Sequence, residues 1–143
     1  MFIVCLNISC LAHTHEMDNF YSRDSPMDPA PIKPEVSFED FDKLDIRVGT
    51  IIEVAEVQRS NKLMKLTVDF GDHHRTILAG IKQERENPAE IEGAQALFVV
   101  NLPDKKMAGE LSQGMLFDIG YADGITPCLA TPETPVPKGT RAG

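Results

Sequence analysis

The chain has 143 residues and a formal net charge of −8, with 42% apolar residues, 25% charged residues and no Trp. That length and composition describe one globular domain with loose ends. The acidic balance excludes a protein that grips nucleic acid through a broad basic face, so any such binding must come from a local cluster of Lys and Arg and be strongly salt-dependent.

The opening residues, MFIVCLNISCLAH, are apolar but lack a basic start and a small-residue cleavage site. They read as a leader outside the fold rather than a secretory signal, with Met17 and Met27 as later starts. No apolar run is long enough to span a membrane. The cysteines, Cys5, Cys10 and Cys128, form no framework, which suits a reduced, cytoplasmic chain.

From Asp18 to Pro34 the chain is polar and holds Pro26, Pro29, Pro31 and Pro34. These block regular structure and favour an extended arm. The boundary is expected near Val36, leaving residues 1–35 as leader and arm and residues 36–143 as the domain with its irregular tail. Ser37, with Asp40 three residues on, predicts a helix cap and a short helix to about Lys43. Phe38 and Phe41 share a face of that helix and are expected to pack on the barrel or on a partner subunit.

From Ile46 the period is two. Ile46, Val48, Thr50, Ile52 and Val54 share one face of a half-buried strand, and Arg47, Gly49, Ile51 and Glu53 share the other. Gly49 suggests a bend or bulge. A second strand, Leu63 to Phe70, turns Met64, Leu66, Val68 and Phe70 inward and ends at a Gly71-Asp72 turn. A third runs from Arg75 to Ile81.

Asn87 before Pro88 predicts a capped helical turn that ends at Gly93. The apolar run from Ala96 to Leu102 reads as a buried fourth strand. A long loop from Pro103 to Gln113 leads to a fifth strand over Gly114 to Ile119. The tail from Ala122, with Pro127, Pro132, Pro135 and Pro137, is expected to be irregular with short extended pieces. Three strands, a short helix and two strands give an all-β chain with short helices. This is the order of a five-stranded OB-fold barrel, whose ligand face lies near strands two and three and the one–two and four–five loops.

Four segments, FDKLDIRVGTIIEV, NKLMKLTVDFGD, RTILAGI and NLPDKKMAGELSQGM, together resemble the tRNA-binding domain family over about Phe38 to Gly120. LDIRVG and SQGM at this spacing carry the resemblance. The family occurs as small freestanding tRNA-binding proteins and as an appendix of methionyl- and phenylalanyl-tRNA synthetases and their associated factors. The resemblance implies a barrel that binds the outside of the tRNA body by shape and backbone. It also implies a homodimer joined around the N-terminal helix, which here carries Phe38 and Phe41, and through C-terminal segments. The export-associated chaperone branch is similar too, but Leu78-Ala79-Gly80-Ile81 replaces its typical Ser-Ser-Ala-Gln run.

Lys105 and Lys106 lie in the four–five loop, where the family places adjacent basic residues and an ammonium can meet a phosphate. Arg59, Asn61 and Lys62 form the one–two loop and are placed to flank the same groove. Ser112 and Gln113 either donate to phosphate, ribose or a base edge, or only close the loop ahead of Gly114, whose backbone freedom is useful there. Met115 reads as core, with a base contact as what the resemblance adds. Arg47 is expected to pair with Asp45 or Glu53 rather than RNA. Asp104, Ala108 and Glu110 stand where many relatives are more basic.

His73 and His74 are neighbours on a strand and face opposite ways, a poor chelate. No nucleophile elbow or phosphate-binding glycine loop occurs, so no cofactor, metal or catalytic residue is expected. The reading is a non-catalytic, cytoplasmic tRNA-binding protein that holds or delivers tRNA. It is expected to be a homodimer away from membranes, with an aminoacyl-tRNA synthetase as a further partner. The alternative is a chaperone-like or synthetase-associated protein-interaction module on the same barrel.

Overall fold

A computed structural model describes residues 27–143; the apolar leader, Cys5 and Cys10 and the first part of the arm lie outside these residues. Residues 27–37 have no regular structure, and the helix α1 (Phe38–Phe41) follows. Its cap is the expected one, with Ser37 Oγ accepting from the Asp40 amide at 3.1 Å. Asn101 anchors the turn after it: its Oδ1 accepts from the Asp45 amide at 2.8 Å and its Nδ2 donates to the Lys43 carbonyl. Phe38 is 87% exposed, so it does not pack on the barrel. Phe41 is also exposed and lines a hollow with Leu44, Asn101 and Arg141.

The strands β1 (Ile46–Glu56), β2 (Met64–Asp69), β3 (His74–Ala79) and β4 (Gln95–Val99) form the main sheet. Short pieces follow: β5 (Lys105–Met107), β6 (Glu110–Ser112), β7 (Met115–Leu116), β8 (Asp118–Ile119), β9 (Cys128–Leu129) and β10 (Arg141–Ala142). The sheet order is β3-β2-β1-β4-β7, all antiparallel, with β10 added beside the start of β1. It curls into the OB-fold barrel around Ile51, Leu66, Val68, Ile77, Ile81 and Phe98, with Phe70 edge-on to Phe98 at 5.6 Å. The three-residue alternation of β2 is the expected one, with Met64, Leu66 and Val68 all buried.

Strand β1 departs from the expected alternation. Ile51 is fully buried and Ile52 is exposed, because the register with β2 slips between Ile51 and Glu53. This β-bulge spends one extra residue and restores Val54 to the core side. The face carrying Gly49 and Ile51 is therefore the core face in the first half of the strand. Gly49 is there for space: a Cβ on it would lie 2.4 Å from Val68 Cγ1 and 2.8 Å from the Phe70 ring.

Asn87 caps a single 3-10 turn, Pro88–Ile91, through Oδ1 to the Ala89 amide at 3.2 Å, and Ile91 caps one end of the core. The expected long loop after β4 is instead a hairpin, with Lys105 opposite Ser112 and Met107 opposite Glu110. The expected single fifth strand is two pieces. β7 pairs with β4, after which the chain swings away and β8 pairs with β9. Met115, read from the sequence as core, is 47% exposed, because it stands on the outer face of β7 while Leu116 turns inward.

Candidate nucleic-acid interface

The barrel closes between β3 and the residues just before β7, and the SQG run makes that closure. Gln113 receives and returns a bond with Thr76: its amide donates to the Thr76 carbonyl at 2.8 Å, and its Oε1 accepts from the Thr76 amide at 3.1 Å. Ser112 is 2% exposed. Its hydroxyl accepts from the Leu78 amide and donates to the Gly114 carbonyl, each at 3.0 Å. Ser112, expected either to offer its hydroxyl to a nucleic acid or only to close the loop, thus has its one donor and one lone pair engaged inside the fold. Gln113 is half-buried with its Oε1 occupied.

Closure at this point throws residues 101–111 outward. The β5–β6 hairpin turns at Ala108 and Gly109, both with positive φ, 50° and 83°. That pair of angles is the tight hairpin turn whose twist suits the strands. Gly109 also brings the hairpin against the loop between β1 and β2. A Cβ at Gly109 would sit 3.5 Å from Arg59 Nη1, so the guanidinium lies over the hairpin tip. A cross-strand ion pair, Lys65 Nζ to Glu110 Oε1 at 2.9 Å, ties β2 to β6. The two loops expected to flank one groove are thus neighbours.

Most cations of this acidic protein are already neutralised within the fold. Lys43, Arg47, Lys65, Lys82, Arg85, Lys138 and Arg141 each stand within ion-pair distance of a carboxylate. Arg47 takes Asp45 in both oxygens at 3.0 Å, as expected, and Glu53 faces Thr67 instead. Arg75 directs its guanidinium to backbone carbonyls. Among the described residues, that leaves Lys33 in the arm and four in the barrel: Arg59, Lys62, Lys105 and Lys106. All four are exposed, and all four lie on the two adjoining loops. Asn61 is exposed between Arg59 and Lys62.

Carboxylates around the barrel respond to these pairings. Arg47, then Arg141, hold the Asp45 carboxyl below its usual range. Lys138 does the same for Asp69, as His73 does for Asp72. Burial, and then the neighbouring Asp118, push Glu84 up. Glu84, Asp118, Lys62, Leu63 and Tyr121 border a cleft of about 710 Å³ at one end of this face. A smaller hollow beside it is apolar, with Leu78, Met115, Phe117 and Tyr121 in its wall. Among the described residues no three His, Cys, Asp or Glu side chains come together to hold a metal, and no helix is long and apolar enough to cross a membrane.

Residues 46–141 match the family model described as "Putative tRNA binding domain". The chain is 40% identical over 104 residues to a methionine--tRNA ligase of Chlorobaculum tepidum, across 71% of this chain and 15% of the ligase. It therefore spans only a small part of the ligases it resembles. Among solved structures, a MetRS related protein from Pyrococcus horikoshii is 37% identical with a TM-score of 0.71, across 78% of this chain and all of that one. The chaperone CsaA from Bacillus anthracis str. Ames is 32% identical with a TM-score of 0.68, across 77% of this chain and all of the chaperone.

Proposed function

The chain belongs to the tRNA-binding domain family, and from that premise we propose that it is a non-catalytic module that holds or delivers tRNA. Arg59, Lys62, Lys105 and Lys106 meet phosphates, while Asn61 and Gln113 make finer polar contacts and exposed Met115 lies against a base or ribose. One observation carries this reading: in a protein of net charge −8, the four barrel cations without a carboxylate or carbonyl partner among the described residues occupy two loops that touch. An acidic remainder repels polyanions in general, so binding is local and backbone-directed.

The test is a titration of the chain with total tRNA at two salt concentrations. Binding should weaken steeply, with a log–log slope of about −2 to −4 for a few phosphate contacts. The double variant Lys105→Glu, Lys106→Glu should remove most of it. Salt-independent binding, or a double variant that binds like wild type, would remove this groove as the interface.

The working unit is a homodimer in the cytoplasm, built on residues 36–143 and joined around Phe38 and Phe41. Phe38 on a four-residue helix is almost wholly exposed in the single chain, an arrangement that a second copy would bury. Sedimentation of Phe38→Ser, Phe41→Ser should show monomers where wild type shows dimers. An aminoacyl-tRNA synthetase is a fitting further partner.

The apolar hollow beside Met115 and Phe117 supports a second reading, a chaperone-like surface for extended apolar segments. That reading requires capture of unfolded chains at salt concentrations that abolish tRNA binding.

A further inference from the structure

We propose that Arg75 is a positioning residue for RNA binding, which clamps the two ends of the segment carrying Lys105 and Lys106 and so sets where those ammonium groups stand. The proposal rests on reading the two loops as an RNA interface. Arg75 lies on β3 and is half-buried. Its Nη1 donates to the Val100 carbonyl and, at 3.1 Å, to the Gln113 carbonyl. Val100 is the residue at which the chain leaves the core after β4, and Gln113 is the residue at which it returns. The whole excursion, with its Lys105–Ser112 hairpin, hangs between them.

The β4–β7 pairing, with Val99 opposite Met115, closes the base of this excursion, and the side-chain ties beyond it hold one end or the other. Gln113 and Ser112 bind β3 at the returning end. Asn101 and the Val100 amide bind the Asp45 region at the outgoing end. Among the described residues the Arg75 guanidinium is the side chain that bonds to both, on the hairpin side of that pairing.

Arg75 is itself held in place. Its Nε meets His73 Nε2 at 3.1 Å, and His73 Nδ1 faces Asp72 at 2.6 Å while the ring stacks on Phe70. Two carbonyls and a ring nitrogen are thereby gathered by one planar, pre-organised fork. A lysine ammonium lacks both the fork and the reach of two fixed nitrogens. The charge of Arg75 is spent on backbone oxygens, so its effect on RNA runs through the hairpin it holds rather than through a phosphate.

The experiment compares wild type, Arg75→Lys and Arg75→Gln in the full chain, titrated with total tRNA at two salt concentrations. Arg75→Lys keeps the charge and loses the fork. Both variants should bind about tenfold more weakly and show a salt slope shallower by about 2, the share of two lysines that no longer reach phosphates together. Adding Lys105→Gln, Lys106→Gln to Arg75→Lys should then cost nothing further, the non-additivity expected of residues acting as one unit.

Arg75→Lys binding like wild type would overturn the clamp and, if Arg75→Gln alone is weakened, make Arg75 a direct phosphate contact. A variant that melts early but binds with the full wild-type slope when folded would overturn it as well, leaving only a structural role. Should Arg75→Gln fail to fold, Arg75→Lys decides alone. If wild type itself does not bind tRNA, the interface falls and the clamp with it. If wild type binds and Arg75→Lys matches it, the interface stands and only the clamp falls.

Discussion

Lys65 on β2 and Glu110 on β6 face one another across the barrel mouth at 2.9 Å, and Glu110 Oε2 is buried without a partner of its own. The pair withholds a fifth cation from the loops beside it. Both side chains are about a third exposed, so the pair contributes little stability, under about 1 kcal/mol. Glu110→Gln should therefore leave folding nearly unchanged while releasing Lys65. Its tRNA affinity should rise about three- to tenfold, with a salt slope steeper by about 1, as read by the same two-salt titration. Unchanged affinity would place Lys65 outside the interface.

Ser112→Ala should act on stability. It strips the acceptor from the buried Leu78 amide and the donor from the Gly114 carbonyl, a loss of about 1–3 kcal/mol. Denaturant unfolding should show this as a lower midpoint, while the folded fraction keeps the wild-type salt slope. A stable variant with weakened binding would instead put the hydroxyl on the RNA.

Gly49→Ala should also destabilise, by about 1–3 kcal/mol. The added methyl meets Val68 on the neighbouring strand and the Phe70 ring, and both belong to the packed core. The expected signature is a lower midpoint with an unchanged denaturant dependence. Gly80→Ala, where a Cβ would meet nothing within 4 Å, is the matched control and should be close to neutral.

Acid should loosen the join between β10 and β1. The Asp45 carboxyl is held below its usual range by Arg47 and Arg141, so the ionised form stabilises the fold. That contribution is fully present above the ordinary carboxylate range near pH 4 and is lost as pH falls through the lowered folded value. Asp45→Asn should melt earlier than wild type at pH 6, and the gap should close as both are acidified below about pH 4. A gap that persists in acid would mean that Asp45 acts through packing or hydrogen bonds rather than charge.

What the sequence discloses depends on where the cause lies. In β2 the alternation of Met64, Leu66 and Val68 is the core itself, so it reads directly. The Asn87-Pro88 pair and the Ser37 cap are local chemistry and read equally well. The bulge at Ile52 is invisible because two adjacent isoleucines fit either face, and only the register against β2 chooses between them. The β5–β6 hairpin has Ala108 where a glycine or asparagine would announce the positive φ. The roles of Ser112 and Arg75 depend on partners in distant strands, which no spacing reveals. The basic loops were legible as candidates through residue type and family likeness; what the fold adds is that the other barrel cations are already engaged.

Strand β1 joins β4 along one edge and, along the other, β2 and, beside its first residues, β10. The β1–β2–β3 meander is local and can form early. The rest of the sheet must wait for chain that lies far away in sequence: Val99 returns to Ile46, and Arg141 to Arg47. Each return closes a long loop before any pairing repays it. The barrel should therefore fold on the slow side for its size. Its transition state would be organised around the early meander and its unfolding would begin where β10 peels away, so a truncation of that short strand should speed unfolding far more than it slows folding.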